Sequence, residues 1–163
     1  LPERFNPPHY LTGADILRYM AHLHGNVYDA DAVAATIHRL DFPLTALERP
    51  ARSYSKGMAQ KLALAACLLS EKQLYILDEP ASGLDPRARA LLKNELRALH
   101  RTGKTVFIAS HDLADVEALC DRMAVMHRGT LRYTGTPAQL KREYGTADIE
   151  TAFLACTAGE VTC

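Results

Sequence analysis

Apolar residues recur at helical spacing over the first 70 positions of the chain. Residues 1–10 are rich in proline and polar side chains, which predicts a loop. Thr12 and Asp15 have the spacing of a capping box, so we expect a helix to begin there and to end near Gly25. Four apolar residues are predicted to share one face of this helix: Ile16, Leu17, Met20 and Leu23.

Two further helices are predicted before position 70. Asp29 or Asp31 can cap the first of them, whose apolar stripe consists of Val33, Ile37 and Leu40. Residues 44–53 are expected to form a connecting loop. Ser55 then caps a long helix over about 56–69. Apolar residues cover this helix almost all round, as is typical of a mostly buried helix.

Strands and helices alternate in the second half of the chain. Two short apolar runs, 74–77 and 105–109, predict strands of a parallel sheet that is covered on both faces. Pro86 predicts the start of an intervening helix that runs to about Leu99. This alternation indicates an α/β fold.

The elements predicted after position 110 end in a small helical segment. In order they are a helix over 113–119, strands over 123–126 and 131–133 joined by a turn at Arg128 and Gly129, a helix from Thr136 and Pro137 that Gly145 ends, and a helix capped by Asp148 that runs to about Leu154.

Composition narrows the class of protein. The 163 residues are 48% hydrophobic and 23% charged, as in an ordinary globular domain. Lys plus Arg equals Asp plus Glu at 19 each, so no overall field attracts nucleic acid, and nucleic acid is not expected as a partner. No apolar run approaches the roughly 20 residues that span a bilayer, so any membrane role is expected to come through a partner.

The cysteines indicate a reducing compartment. None of them forms a Cys-x-x-Cys pair, and no signal peptide is visible. Free thiols in a cytoplasmic protein are therefore favoured over disulfides. The four residues are Cys67, Cys120, Cys156 and Cys163.

Two adjacent acids, Asp78 and Glu79, follow the apolar run at 74–77. Ligands of α/β sheets bind at the carboxyl ends of the strands. Mg²⁺ prefers oxygen ligands and keeps several waters, so Asp78 can hold it directly or through water. Glu79 can then orient and polarise an attacking water. The same pair can also simply end a strand and cap the next turn.

Three further groups of residues flank this pair in the sequence. Ser55, Lys56 and Gly57 open the long helix with the residue types that suit phosphate, although for these residues by themselves a plain N-cap is the favoured explanation. Residues 82–86 read Ser-Gly-Leu-Asp-Pro and follow the acids directly. His111 follows the second strand, where a lone histidine is more often structural.

Together, in this order and spacing, these groups resemble the ABC ATPase family: its signature motif at 54–58, its Walker B strand with the following glutamate at 74–79, its D-loop at 82–86 and its switch histidine at 111. The resemblance covers nearly the whole chain, from a Q-loop tail at 1–3 to the usual end of the catalytic domain at 112–140. It implies part of a P-loop NTPase-like core, with a mostly parallel sheet, flanking helices and a helical signature subdomain. The segments expected are 1–70 for the helical subdomain, 71–135 for half of the α/β core, and 136–163 for a helical extension.

The resemblance implies a role for each site residue. Asp78 would help to hold Mg²⁺, Glu79 would be the general base, and His111 would contact the γ-phosphate and hold the closed state. Ser55, Lys56 and Gly57 would bind the ATP of a second subunit in a head-to-tail dimer, and Asp85 would reach across that dimer interface. A transmembrane permease would hold the protein at the inner face of the membrane.

The chain departs from the common pattern at three points. Lys56 stands where glycine is usual and Met58 where glutamine is usual, and Ser-Lys-Gly-Met is familiar in bacterial exporters. Glu3 replaces the Q-loop glutamine; its carboxylate can still bind metal or water. No Gly-x-x-x-x-Gly-Lys-Ser/Thr run occurs, so the loop that grips the β- and γ-phosphates is missing. The chain also opens on Leu1 without a preceding strand, and we expect its natural beginning to be absent.

The function expected from the sequence is that of an ATP-hydrolysing subunit of an ABC transporter, with export favoured over import and with this chain alone inactive. Two alternatives stay open at this point. One is a soluble ABC-type ATPase of translation or DNA repair. The other is a non-catalytic remnant that keeps the signature helix as an interaction surface, against which the retention of both Asp78 and Glu79 argues.

Overall fold

The computed structural model describes residues 1–158. The chain divides into two compact units, Leu1–Ala109 and Ser110–Cys163. The described helices are α1 (Gly13–Leu23), α2 (Ala30–Arg39), α3 (Lys56–Leu68), α4 (Pro86–Arg101), α5 (Leu113–Leu119), α6 (Pro137–Glu143) and α7 (Ile149–Ala158). The strands are β1 (Leu74–Asp78), β2 (Thr105–Ala109), β3 (Met123–His127) and β4 (Thr130–Gly135).

A capping box starts α1, as predicted. The Thr12 hydroxyl accepts from the Asp15 amide at 3.1 Å, and the Asp15 carboxylate accepts from the Thr12 amide at 3.2 Å. The hydrogen bonds from Thr12 hold the pKa of Asp15 below its ordinary value. The buried residues of α1 all lie in its first half. Leu23, predicted to face inward, is exposed because the last turn of α1 extends past the core.

α2 and α3 supply the core of the helical segment. The predicted stripe of α2, Val33, Ile37 and Leu40, is buried. α3 is buried over most of its length, which confirms the prediction from its all-round apolar pattern. The predicted loop between α2 and α3 contains two short 3-10 helices, Leu44–Glu48 and Ala51–Ser53.

β1, α4 and β2 form a parallel βαβ unit, which confirms the α/β prediction. The strands pair in register from Leu74 with Thr105 to Asp78 with Ala109, so their carboxyl ends coincide. The predicted burial of both sheet faces is wrong for this unit. Leu74, Ile76 and Phe107 are 52%, 59% and 61% exposed, because α3 and α4 leave that face of the strand pair uncovered.

Leu1 pairs with the opposite edge of β1. Its amino group donates to the Ile76 carbonyl at 2.7 Å, and its carbonyl accepts from the Asp78 amide at 2.9 Å. This is the hydrogen-bond pattern of a parallel ladder. The residues after Leu1 therefore continue towards the end of β1 that carries Asp78.

The second unit is built on the β3–β4 hairpin. Arg128 and Gly129 have φ angles of 49° and 74°, the conformation of the tight hairpin turn that the sequence predicted. One face of the hairpin packs on α6 and α7 in a core of Val125, Tyr133, Leu140, Ile149, Ala152 and Cys156. Because Cys156 belongs to this core, α7 continues four residues beyond its predicted end, to Ala158.

Three of the four cysteines lie in described parts of the chain. Cys67, Cys120 and Cys156 are free thiols, as predicted, and Cys163 lies outside the described residues. Burial raises the pKa of Cys67 and of Cys120, so neither thiol is activated. No helix within residues 1–158 has both the length and the apolar character needed to cross a membrane.

Candidate functional site

The adjacent acids lie at the carboxyl end of β1. Asp78 is the last residue of the strand and its side chain is exposed, whereas Glu79 is half-buried in the turn that follows. Parallel pairing with β2 ends at the same level, since the Glu79 amide donates to the Ala109 carbonyl at 2.8 Å. The strand thus delivers both carboxyl groups to the edge where α/β sheets bind ligands.

Glu79 has a backbone conformation that is unusual for its residue type. Its φ is 45°, in the left-handed region that disfavours a residue with a Cβ. The turn is closed by a bond of 2.9 Å from the Ser82 amide to the Glu79 carbonyl. A left-handed non-glycine residue costs on the order of 1–3 kcal/mol and persists where surrounding structure enforces it, often at a functional site.

Ser55 caps α3 and leaves the first turn of the helix open to solvent. Its Oγ accepts from the Met58 amide at 3.2 Å, and both Ser55 and Lys56 are exposed. The first amides of a helix have no partner within it and carry a partial positive charge. The start of α3 therefore has the hydroxyl, free amides and cation that suit a phosphate group.

The loop after β1 lies directly against this helix start. A Cβ on Gly57 would stand 2.9 Å from the Gly83 carbonyl oxygen, which real side chains do not do. A Cβ on Gly83, whose φ is 76°, would stand 2.8 Å from Cγ and Cδ of Lys56. Both positions therefore require glycine, and the two segments touch through their backbones.

Lys56 completes the contact between the two segments. Its Nζ donates to Ser82 Oγ at 3.0 Å, and its methylene groups lie over Gly83. The site residues Ser55, Lys56 and Gly57 are thus brought together with the Ser-Gly-Leu-Asp segment.

Gln60 holds the same loop from inside the protein. Its side chain is buried, at 4% exposure, and its Nε2 donates to the Pro80 carbonyl at 3.0 Å. No sequence motif indicated a role for this glutamine. A lone amide among apolar residues of a buried helix is the signal that could have found it, because a buried amide needs a hydrogen-bond partner.

Asp85 caps α4. Its Oδ1 accepts from the Ala88 amide at 2.8 Å, and Pro86 occupies the first helical turn. Capping uses one carboxylate oxygen of Asp85, and the residue is exposed at the surface. The short loop from Ser82 to Asp85 therefore runs along the start of α3 and ends as the cap of α4.

Tyr54 anchors the residue before the cap of α3. Its hydroxyl donates to the Ala46 carbonyl at 2.6 Å, and its ring meets that of Phe42 edge-on with centroids 5.6 Å apart. Burial raises the pKa of Tyr54, so it stays a neutral donor. A Cβ on Gly13 would stand 2.4 Å from the Tyr54 oxygen, which explains the glycine at the start of α1.

His111 belongs to the second unit. It is exposed, and Asp112 beside it caps α5. Within that unit it lines an open pocket of about 420 Å³ together with Asp112, Leu113, Glu150, Phe153 and Leu154. The structure thus places this histidine on a surface that a small molecule can reach.

Mg²⁺ suits the acids at the end of β1. No cluster of three or more His, Cys, Asp or Glu side chains that could hold a metal occurs within residues 1–158. Mg²⁺ does not need one, since it typically takes one or two carboxylates and completes its shell with water and substrate phosphate. The exposed Asp78 carboxylate fits that requirement. Glu3, the other acid that the sequence suggested for the metal, is exposed in the segment that follows Leu1.

Comparisons with known proteins identify the family and the fold. A family model described as "AAA domain, putative AbiEii toxin, Type IV TA system" matches residues 8–115, which is more than half of the chain. A solved structure described as the ATP-binding subunit of an ABC transporter matches with a TM-score of 0.85 and 27% identity, over 96% of this chain and 66% of that chain.

Curated relatives are similar over most of this chain. Human phospholipid-transporting ATPase ABCA7 is 39% identical over 136 residues, which cover 82% of this chain and 6% of that protein. Uncharacterized ABC transporter ATP-binding proteins of Synechocystis and Nostoc are 44% and 33% identical, over 59% and 86% of this chain. The matches span 27% and 43% of those two proteins. The chain belongs to the family of ABC transporter ATP-binding proteins.

The buried bond from Gln60 to the Pro80 carbonyl predicts a specific loss of stability. In Gln60→Leu the carbonyl loses its donor, and leaving a buried polar group unpaired costs about 1–3 kcal/mol. Chemical denaturation of the variant measures the change in the free energy of unfolding. The exposed Gln73 supplies the control, and Gln73→Leu should change that free energy by less than about 0.5 kcal/mol. Equal free energies of unfolding for the two variants would show that the buried hydrogen bond does not stabilise the fold.

Proposed function

We propose that this chain is part of an ABC transporter subunit that hydrolyses ATP to ADP and phosphate and couples that reaction to transport by a membrane partner. The observation that carries the proposal is the contact between the start of α3 and the loop after β1. It joins the phosphate-suited residues Ser55 and Gly57 to the segment that leads from Asp78 and Glu79 to Asp85.

Within one subunit, the acids at the end of β1 act on the nucleotide. Asp78 holds Mg²⁺, which when bound neutralises charge on the phosphate oxygens. Glu79 orients the attacking water and accepts its proton. The left-handed backbone of Glu79 supports this role, because it turns the chain away from the strand direction directly at the acid. The role of His111 is carried over from the family resemblance alone, in which the matching histidine would contact the γ-phosphate.

A second subunit completes the site. Ser55 and Gly57 serve the ATP held by the other subunit, and Asp85 crosses the interface between the two. The support for this division is that the start of α3 and the Asp85 loop are both exposed and lie side by side. Their backbone contact means that one surface presents the phosphate-binding turn and the interface aspartate together.

Coupling to a permease would place the protein at the inner face of the cell membrane. The partner is a polytopic membrane protein, as the resemblance to ABC transporter ATP-binding subunits implies. We favour export because the Ser-Lys-Gly-Met sequence at 55–58 resembles the signature of bacterial exporters. The name of the human relative, a phospholipid-transporting ATPase, adds a lipid as one cargo class to test.

For the 163-residue chain taken alone, we expect weak ATP binding. The sequence contains no glycine-rich phosphate loop with its lysine, and exposed groups such as Asp78 and Ser55 cannot replace that grip. A calorimetric titration of this chain with Mg-ATP should show no saturation below about 1 mM. Tight binding of Mg-ATP to this chain would contradict the expectation if it is lost in Asp78→Ala and kept in the control variant Asp31→Ala.

The role of Glu79 predicts a large loss of rate. In the full-length protein, Glu79→Gln should lower kcat for ATP hydrolysis about 10²–10⁴-fold, because the amide cannot accept the proton. The change is isosteric, so ATP binding should persist. Glu71→Gln is a matched control, since Glu71 also has a left-handed backbone, with φ of 52°, but precedes β1. Equal kcat for the two variants would refute the assignment of Glu79 as base.

A further inference from the structure

We propose that Lys56 is a positioning residue that clasps the loop after β1 to the start of α3, so that Ser55 and Asp85 move as one surface. The proposal rests on the proposed function for its catalytic consequence. It changes the interpretation of Lys56 made from the sequence, where the residue was assigned to phosphate.

The clasp consists of a polar bond and a steric contact. Lys56 Nζ donates to Ser82 Oγ at 3.0 Å, across 26 positions of sequence. A Cβ placed on Gly83 would stand only 2.8 Å from Cγ and Cδ of the same lysine side chain. The long apolar stem of Lys56 makes the contact with Gly83, and its terminal donor makes the hydrogen bond to Ser82. Lysine supplies both parts in one side chain.

The clasp acts on the exposed side of the loop, opposite the restraint that Gln60 supplies. Between Glu79 and the cap of α4, the described backbone bonds of the loop run from Ser82 to Glu79 and from Leu84 to Ala81, at 2.9 and 3.2 Å. Gln60 holds its first residue, Pro80, from the buried side. Lys56 holds Ser82 and Gly83 from the exposed side, and the loop lies between the two.

The consequence is a division of labour within the first turn of α3. The hydroxyl of Ser55 and the free amides of the turn remain for phosphate, while the Lys56 cation is drawn to the loop. An error of about 1 Å in the position of a catalytic segment can reduce a rate about 100-fold. Fixing the loop therefore sets the geometry of Asp85 and of the acids that precede it.

The test compares two variants that remove opposite ends of the clasp. Lys56→Met keeps an unbranched side chain, one atom shorter, but removes its donors, and Ser82→Ala removes the acceptor. Lys72→Met is the control, because Lys72 is exposed and donates to the His24 carbonyl, away from this loop. The first readout is amide hydrogen exchange of Ser82 and Leu84 in the full-length protein. Exchange should accelerate about fivefold in both variants, as expected for the loss of one hydrogen bond, and should not change in the control.

Kinetics supplies the second readout. Each variant should lower kcat for ATP hydrolysis about tenfold with little change in KM, as expected for a misplaced group. The double variant should lose no more than either single variant, because both remove one interaction. A higher KM for Lys56→Met alone, with Ser82→Ala unaffected, would show that Lys56 binds phosphate and would overturn the clasp.

The two readouts separate this proposal from the proposed function. If the unmodified protein has no ATPase activity but exchange is faster in both variants, the clasp is supported and the proposed hydrolytic function is refuted. Unchanged exchange in Lys56→Met would overturn the clasp, whatever the ATPase activity of the unmodified protein. Neither variant should prevent folding, since Lys56 is exposed and Ser82 lies in a turn.

Discussion

The close approach of two backbones at Gly57 and Gly83 is the constraint on which the candidate site depends. Any side chain at position 57 would collide with the Gly83 carbonyl, and Gln60 fixes the same loop from inside through Pro80. The parallel strand β1 brings Asp78 and Glu79 to the beginning of that loop, and Asp85 ends it as the cap of α4. One packed contact thus links the acids, the phosphate-suited turn and the cap of α4.

Much of the fold could be predicted from the sequence because its local signals are strong. Thr12 and Asp15 form the predicted capping box, Ser55 caps α3, and Arg128 with Gly129 makes the hairpin turn. Each of these depends on residues within about four positions of one another, which the sequence shows directly. The class of protein was also legible, because its motifs occur in a fixed order along the chain.

Tertiary contacts were beyond the sequence patterns. Apolar runs predicted strands buried on both faces, yet Ile76 and Phe107 are exposed. An apolar run shows that a strand can be buried, but it does not show which other segments pack against each face. The pairing of Lys56 with Ser82 and of Gln60 with Pro80 joins positions 20 or more apart.

A mixing experiment tests most directly the claim that each site is shared by two copies. Glu79→Gln removes the base, and Gly57→Asp places a charged side chain against the Gly83 carbonyl at the start of α3. Each variant of the full-length protein should be inactive alone. A mixed dimer keeps one intact site, so random pairing of equal amounts should restore about a quarter of the ATPase activity. Failure to restore any activity, with mixed dimers shown to form, would contradict the shared site.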